Sequence, residues 1–149
     1  MVEFATFFLF LMLLLAGVVN VGGLLTDHVN IEYAARQGAR TGAVIANQAN
    51  ADCAILGAVS AALVGMPNLV MNQITIYKAG PDGKPAPPPP GLPVQEDIYA
   101  GNSVCLIVGG APSISPAPNP ANINWPTSSR DNSPFSEDSL GVRLDYTYT

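Results

Sequence analysis

The sequence predicts an α+β protein: a long N-terminal α-helix, apolar in its first half, with a short second helix and a small antiparallel β-sheet packed on its C-terminal half. Three observations point there. Residues 4–25 are apolar apart from Thr6 and Asn20, and a helical pattern then continues to about residue 48 with no proline before Pro67. The run 51–65 repeats a helical apolar face and closes on Gly65 and Pro67. The runs 73–79, 103–109 and 141–149 are short, apolar or alternating, and bounded by turn residues. An average of 48% hydrophobic residues over 149 positions conceals a division between an apolar anchor, 1–25, and a head made for water, 26–149.

From Phe4 to Leu25 the first helix covers about 33 Å at ~1.5 Å per residue, enough to cross a ~30 Å hydrocarbon core. A cleaved secretory signal fits less well, because the apolar run is too long, lacks a basic segment before it and has no small-residue cleavage site after it. Glu3 stands at the head of this run. An ionised carboxylate is costly in hydrocarbon unless paired, so Glu3 is expected at an interface or beside a partner charge. The side chains of Phe4, Phe7, Phe8, Leu11, Leu14, Leu15 and Val18 are the expected packing surface. Gly17, Gly22 and Gly23 weaken the junction of the two halves, and either a bend or a regular helix with small contacts is consistent with them.

The second half of the helix is amphipathic. Ala34, Gly38, Gly42 and Ala46 recur every fourth residue, so one face is stripped almost to backbone and a helix or sheet can approach it closely. Glu32, Arg36 and Arg40 read as a solvated stripe, and His28 as an interfacial or packed residue. For the second helix, Asn50 or Asp52 is the candidate N-cap, and the apolar positions Ile55, Leu56, Val59, Ala62, Leu63 and Val64 favour one face.

The strand at 73–79 alternates through Ile74 and Ile76, and that at 141–149 through Val142, Leu144, Tyr146 and Tyr148. One apolar sheet face needs a cover, which the small-residue face of the first helix can supply. The segments 80–94 and 110–139 are Pro-rich loops; a ligand for a proline-binding module is conceivable, but stiffened surface loop is the simpler reading. Trp125 is expected to anchor the second loop against the sheet.

Composition narrows the chemistry. With six Lys and Arg residues, a net charge of −5 and no basic cluster, nucleic-acid binding is not expected. One histidine and two cysteines without CxxC spacing do not make a zinc site, and no cofactor is expected. Cys53 and Cys105 either form a disulfide, if the head lies outside the cytoplasm, or remain two buried thiols. No nucleophile elbow, phosphate-binding loop, dinucleotide fingerprint or zinc-protease motif is present, so no enzyme is expected. The acidic residues Asp131, Glu137 and Asp138 lack calcium-loop spacing.

The stretch "VEFATFFLFLMLLLAGVVNVGGLL…YAARQGARTGAV" resembles the TadE-like family of pilins and pseudopilins, within the broader type IV pilin group. The likeness covers about residues 2–48, including the opening Val2 to Ala5, with the run Ala34 to Arg40 its most distinctive part. It implies a subunit held in the inner membrane by its helix, processed by a prepilin peptidase and extracted by pilus assembly machinery into an extracellular homo-oligomeric filament, with apolar helices at the centre and heads outside. A glutamate near the mature N-terminus of such proteins neutralises a neighbour's terminal amine, and Glu3 is the matching position. It stands third here where the group usually has it fifth. Either two residues and a leader are absent from this sequence or the pairing geometry differs. Two other readings stand beside the filament subunit: a minor pseudopilin of a Tad assembly machine, and a single-pass anchored module that binds a partner through its head.

Overall fold

The computed structural model describes residues 2–45, 47–66, 69–133 and 137–148; for residues 2, 3, 5 and 6 it describes the backbone only. Helix α1 runs from Val2 to Ile45, 44 residues or about 66 Å. Helix α2 (Ala51–Ala62) folds back along it after a four-residue turn at 47–50. The strands are β1 (Leu69–Lys78), β2 (Glu96–Ala100), β3 (Val104–Val108), β4 (Ala111–Ser115) and β5 (Leu140–Tyr148). They make an antiparallel three-stranded sheet in the order β2-β1-β5 and a separate antiparallel β3-β4 ribbon.

The two helices lie on one face of the sheet. Cross-strand partners Ile74 with Leu144, Ile76 with Val142 and Ile74 with Tyr99 put those side chains on that face, where they meet Ile55, Leu56 and Val59 of α2 and Trp125 from the long loop. The approach of α1 depends on its glycines. A Cβ on Gly38 would lie 2.7 Å from a Val59 methyl, and one on Gly42 2.8 Å from Leu140 and 2.9 Å from Ile55. Ala34, one turn earlier, is completely buried. Removing side chains from this face lets α1 touch α2 and β5 at once.

The structure departs from the sequence expectations at several points. Helix α1 runs without interruption through Gly17, Gly22 and Gly23, and the Thr26 hydroxyl adds a 2.9 Å hydrogen bond to the Gly22 carbonyl. The helix ends at Ile45, short of residue 48, and Ala46 lies outside the described residues. Helix α2 stops at Ala62, not 65, where the Leu63 amide is shared between the Val59 and Ser60 carbonyls and Gly65 takes a positive φ of 96°. Asn50 occupies the N-cap position without a side-chain bond, and Asp52 turns inward. Strand β1 begins at Leu69, four residues before the expected start, with a bulge between Met71 and Gln73.

The largest departure is in the sheet. The run expected at 103–109 does not join it; β3 pairs only with β4, a strand inside the segment read as loop 110–139. Gly109 and Gly110, both at positive φ, form the two-residue turn, and Pro112 is tolerated because β4 is an edge. The third strand of the sheet is β2, which the sequence reading left unassigned. The Cys53–Cys105 disulfide fastens the ribbon to α2, with 5.0 Å between Cα atoms.

Candidate assembly surface

Two sites stand out, one bare and one buried. The bare one is the first half of α1. Phe4, Phe7, Phe8, Leu11, Leu14, Leu15 and Val18 recur at steps of three and four and form a stripe, with Phe4 and Phe8 stacked at 6.2 Å between ring centroids. All seven are exposed, Phe4 to 74%, but so are Leu9, Phe10, Leu13 and Val19 on the other faces. A helix apolar all round is ordinarily buried. Among the described residues, nothing lies within 4 Å of where a Cβ would sit on Gly17, Gly22 or Gly23. Gly17 and Gly22 leave a shallow groove bordered by Phe10, Leu14, Val21 and Leu25. The helix is long and apolar enough to cross a membrane, and none of its most apolar window is buried among the described residues. Glu3 lies in the first turn of α1, where the positive end of the helix dipole favours a carboxylate; its side chain is outside the described residues.

The buried site locks the head. Arg130, from the loop before β5, places its guanidinium 2.6 Å from an Asp52 oxygen on α2 and 2.8 Å from one of Asp97 on β2. It also donates to the Trp125 carbonyl at 3.2–3.3 Å and stacks over the Trp125 ring at 4.7 Å. The Trp125 amide donates to Asp97 at 2.8 Å and the Tyr99 hydroxyl to Asp52 at 2.8 Å. Arg130, Asp97 and Trp125 are sealed from solvent. Burial pushes the Asp97 carboxyl above the ordinary carboxylate range; the Trp125 amide pulls it down, the Asp52 charge adds to the rise and Arg130 opposes it. Burial, reinforced by Asp52, raises the Tyr99 phenol as well. The network joins α2, β2 and the long loop through the fully buried side chains of Arg130 and Asp97, so it fastens these elements together.

The remaining sequence candidates fall outside both sites. His28 sits 3.4 Å from the Tyr146 hydroxyl at the foot of the sheet. Glu32 pairs with Arg36 on an exposed face, worth little to stability. Asp138 pairs with Lys78 at 2.6 Å and accepts the Asp131 amide. Among the described residues no group of three or more His, Cys, Asp or Glu side chains is placed to hold a metal ion. The sequence reading missed Asp52, Asp97 and Arg130 as a unit; a lone arginine between Lys84 and Arg143, in a loop otherwise poor in basic residues, was the available signal.

The chain is thus a bare apolar helix, long enough to cross a membrane, carrying an α+β head that packs on its second half. A family model described as TadE-like protein matches residues 1–40, just over a quarter of the chain. The match ends within α1 and includes none of the sheet, so the resemblance to the TadE-like family holds for the spine and supports a pilus-related function and a membrane-anchored location at the cell surface. No curated protein and no solved structure matches this chain.

Proposed function

We propose that this chain is a structural subunit of a Tad-type, pilus-like extracellular filament that polymerises through the bare half of α1. The observation that carries the reading is that half's exposure on every face while the head forms its buried core without it. Before assembly the membrane covers it; afterwards other copies of the same helix do. About fifteen large apolar side chains, each worth ~1.5–3 kcal/mol on burial, are ample to hold a subunit in such a bundle. The match to the TadE-like model over residues 1–40 supports the same reading, and with it processing by a prepilin peptidase and extraction by a pilus assembly machine.

Glu3 then has a role in register. Leucine-rich rods slide past one another, and a desolvated ion pair between Glu3 and a neighbour's amino terminus adds little net stability but penalises misplacement. A buried pair broken by a slip costs about 3–5 kcal/mol.

Electron microscopy of surface fibres tests the proposal: this chain should repeat along the fibre with its helices inward. In detergent extracts, a permanently solitary protomer with no fibre form would instead favour the anchored binding module. Glu3→Ala is expected to abolish or disorder fibres while leaving membrane insertion unchanged, and normal fibres from that variant would remove the register role.

A further inference from the structure

The foot of the head carries exposed apolar and aromatic side chains beside the Asn72–Thr147 hydrogen bond, and four segments of chain converge there. Helix α2 runs antiparallel to α1, since Ile55 meets Gly42, Val59 meets Gly38, and Ala61 and Ala62 border the same surface as Tyr33. Strand β5 descends in the same sense, with Leu140 at Gly42, Val142 at Gly38 and Tyr146 at His28. Strand β1 starts at this level, Leu69 opposite Tyr148 and Met71 opposite Tyr146. His28 is three residues past Leu25, the end of the apolar run, or about 4.5 Å along the helix. The turn after α2 and the ends of both strands therefore lie beside α1 at the level where it leaves its apolar half.

This collar is formed by Val64, Met66, Leu69, Val70, Tyr146 and Tyr148. Val64 is 82% exposed, Val70 48% and Tyr148 42%. From Cys53 to Tyr77 the sequence has no charged residue, and between Glu3 and Glu32 the only titratable residues of α1 are Asp27 and His28. The ionic groups of Lys78 and Asp138 lie at the opposite end of β1.

We infer that the collar is a membrane-interface seat: while α1 is in the bilayer, the head rests on the lipid surface through Val64, Tyr148 and their neighbours instead of standing clear of it. This rests on the reading that α1 spans a membrane before assembly. The occupant follows from continuity, because any bilayer that takes up residues 4–25 brings its headgroup region to the level of His28 and so to the collar. Tyrosines suit that depth, with the ring in the apolar boundary and the hydroxyl among headgroups. No lysine or arginine is in the collar, so seating depends on burial of apolar surface and needs no anionic lipid.

The test uses the full chain in phosphatidylcholine vesicles, with tryptophan introduced singly as Val64→Trp, Tyr148→Trp, Leu14→Trp or Leu92→Trp; buried Trp125 gives a constant background. Leu14 reports α1, and Leu92, exposed in the loop beyond the far end of β1, reports the top of the head. Brominated lipid chains should quench the Val64, Tyr148 and Leu14 probes, and acrylamide the Leu92 probe, with the pattern unchanged by salt. If Leu14→Trp is quenched by lipid while Val64→Trp and Tyr148→Trp respond only to acrylamide, the helix spans and the seat is refuted. If Leu14→Trp also escapes lipid, the membrane reading fails together with the seat. Shielding of the collar probes only in assembled fibres would make the surface a subunit contact and overturn the inference.

Discussion

The two halves of α1 are continuous in backbone and opposite in use. Residues 4–25 carry Phe and Leu on all sides, and the large ones among the described residues are exposed, whereas residues 31–42 present Ala34, Gly38 and Gly42 as a face packed against α2 and β5. Hydrophobicity alone would have buried the first half. Side-chain size decided otherwise: only the half with side chains removed lets two other elements approach within contact distance of its backbone. The half rich in large side chains has a rounded apolar surface that this small head cannot cover, and its burial is left to lipid or to other molecules.

That contrast can be broken first from the head's side. Arg130→Ala leaves Asp52 and Asp97 facing each other without a cation, and should destabilise the head by about 3–5 kcal/mol, a large part of a typical domain's 5–15 kcal/mol. Thermal melting followed by circular dichroism is expected to show early loss of the sheet signal, with the helical signal of residues 4–25 retained in detergent. Cys53→Ala with Cys105→Ala opens a loop of 52 residues, and the chain-entropy account puts the loss at about 4 kcal/mol. Adding a reductant to the unmodified chain should lower the melting temperature to match, and no change would mean that the thiols are not joined.

Gly38→Val sharpens the comparison within the helix. Its side chain would collide with Val59 and should cost about 1–3 kcal/mol by overpacking. Gly17→Val, the same change in the bare half, should leave the melting temperature of the head unaltered and alter only what α1 packs against outside the monomer. Equal effects of the two on the head would erase the distinction. The smallest effect expected is in pH dependence. The Asp97 carboxyl lies above its ordinary value of about 3.9, so the folded head takes up that proton before the unfolded chain does. Its contribution therefore favours folding in full below the unfolded value and is lost as pH rises through the folded one. Asp97→Asn, by fixing the neutral form, should flatten this part of a stability profile measured by denaturant titration, whereas a profile identical to the unmodified chain would show that Asp97 ionises normally.

Much of the spine was legible in the order of residues. A 3.6-residue period, the absence of proline before Pro67 and the four-residue recurrence of Ala34, Gly38 and Gly42 are local signals, and local signals define helices. The strands around Ile74 and Val142 were legible for the same reason. Strand β2 was hidden because one of its inward positions is Asp97, a charge where alternation calls for an apolar residue. Its reason for being there, Arg130, is 33 residues away. Strand β4 was hidden by Pro112 and by the surrounding Pro and Ser, although Gly109-Gly110 announced its turn.

By itself, then, the sequence determined a long helix with one half too apolar for water and another prepared for close contact, since both follow from side-chain size and period along one element. Only the tertiary structure decided which strands share a sheet, that the β3-β4 ribbon stands apart, and that two aspartates meet one arginine in the core. Those depend on pairings between distant segments, where the compensation for burying a charge is visible only once its partner is beside it.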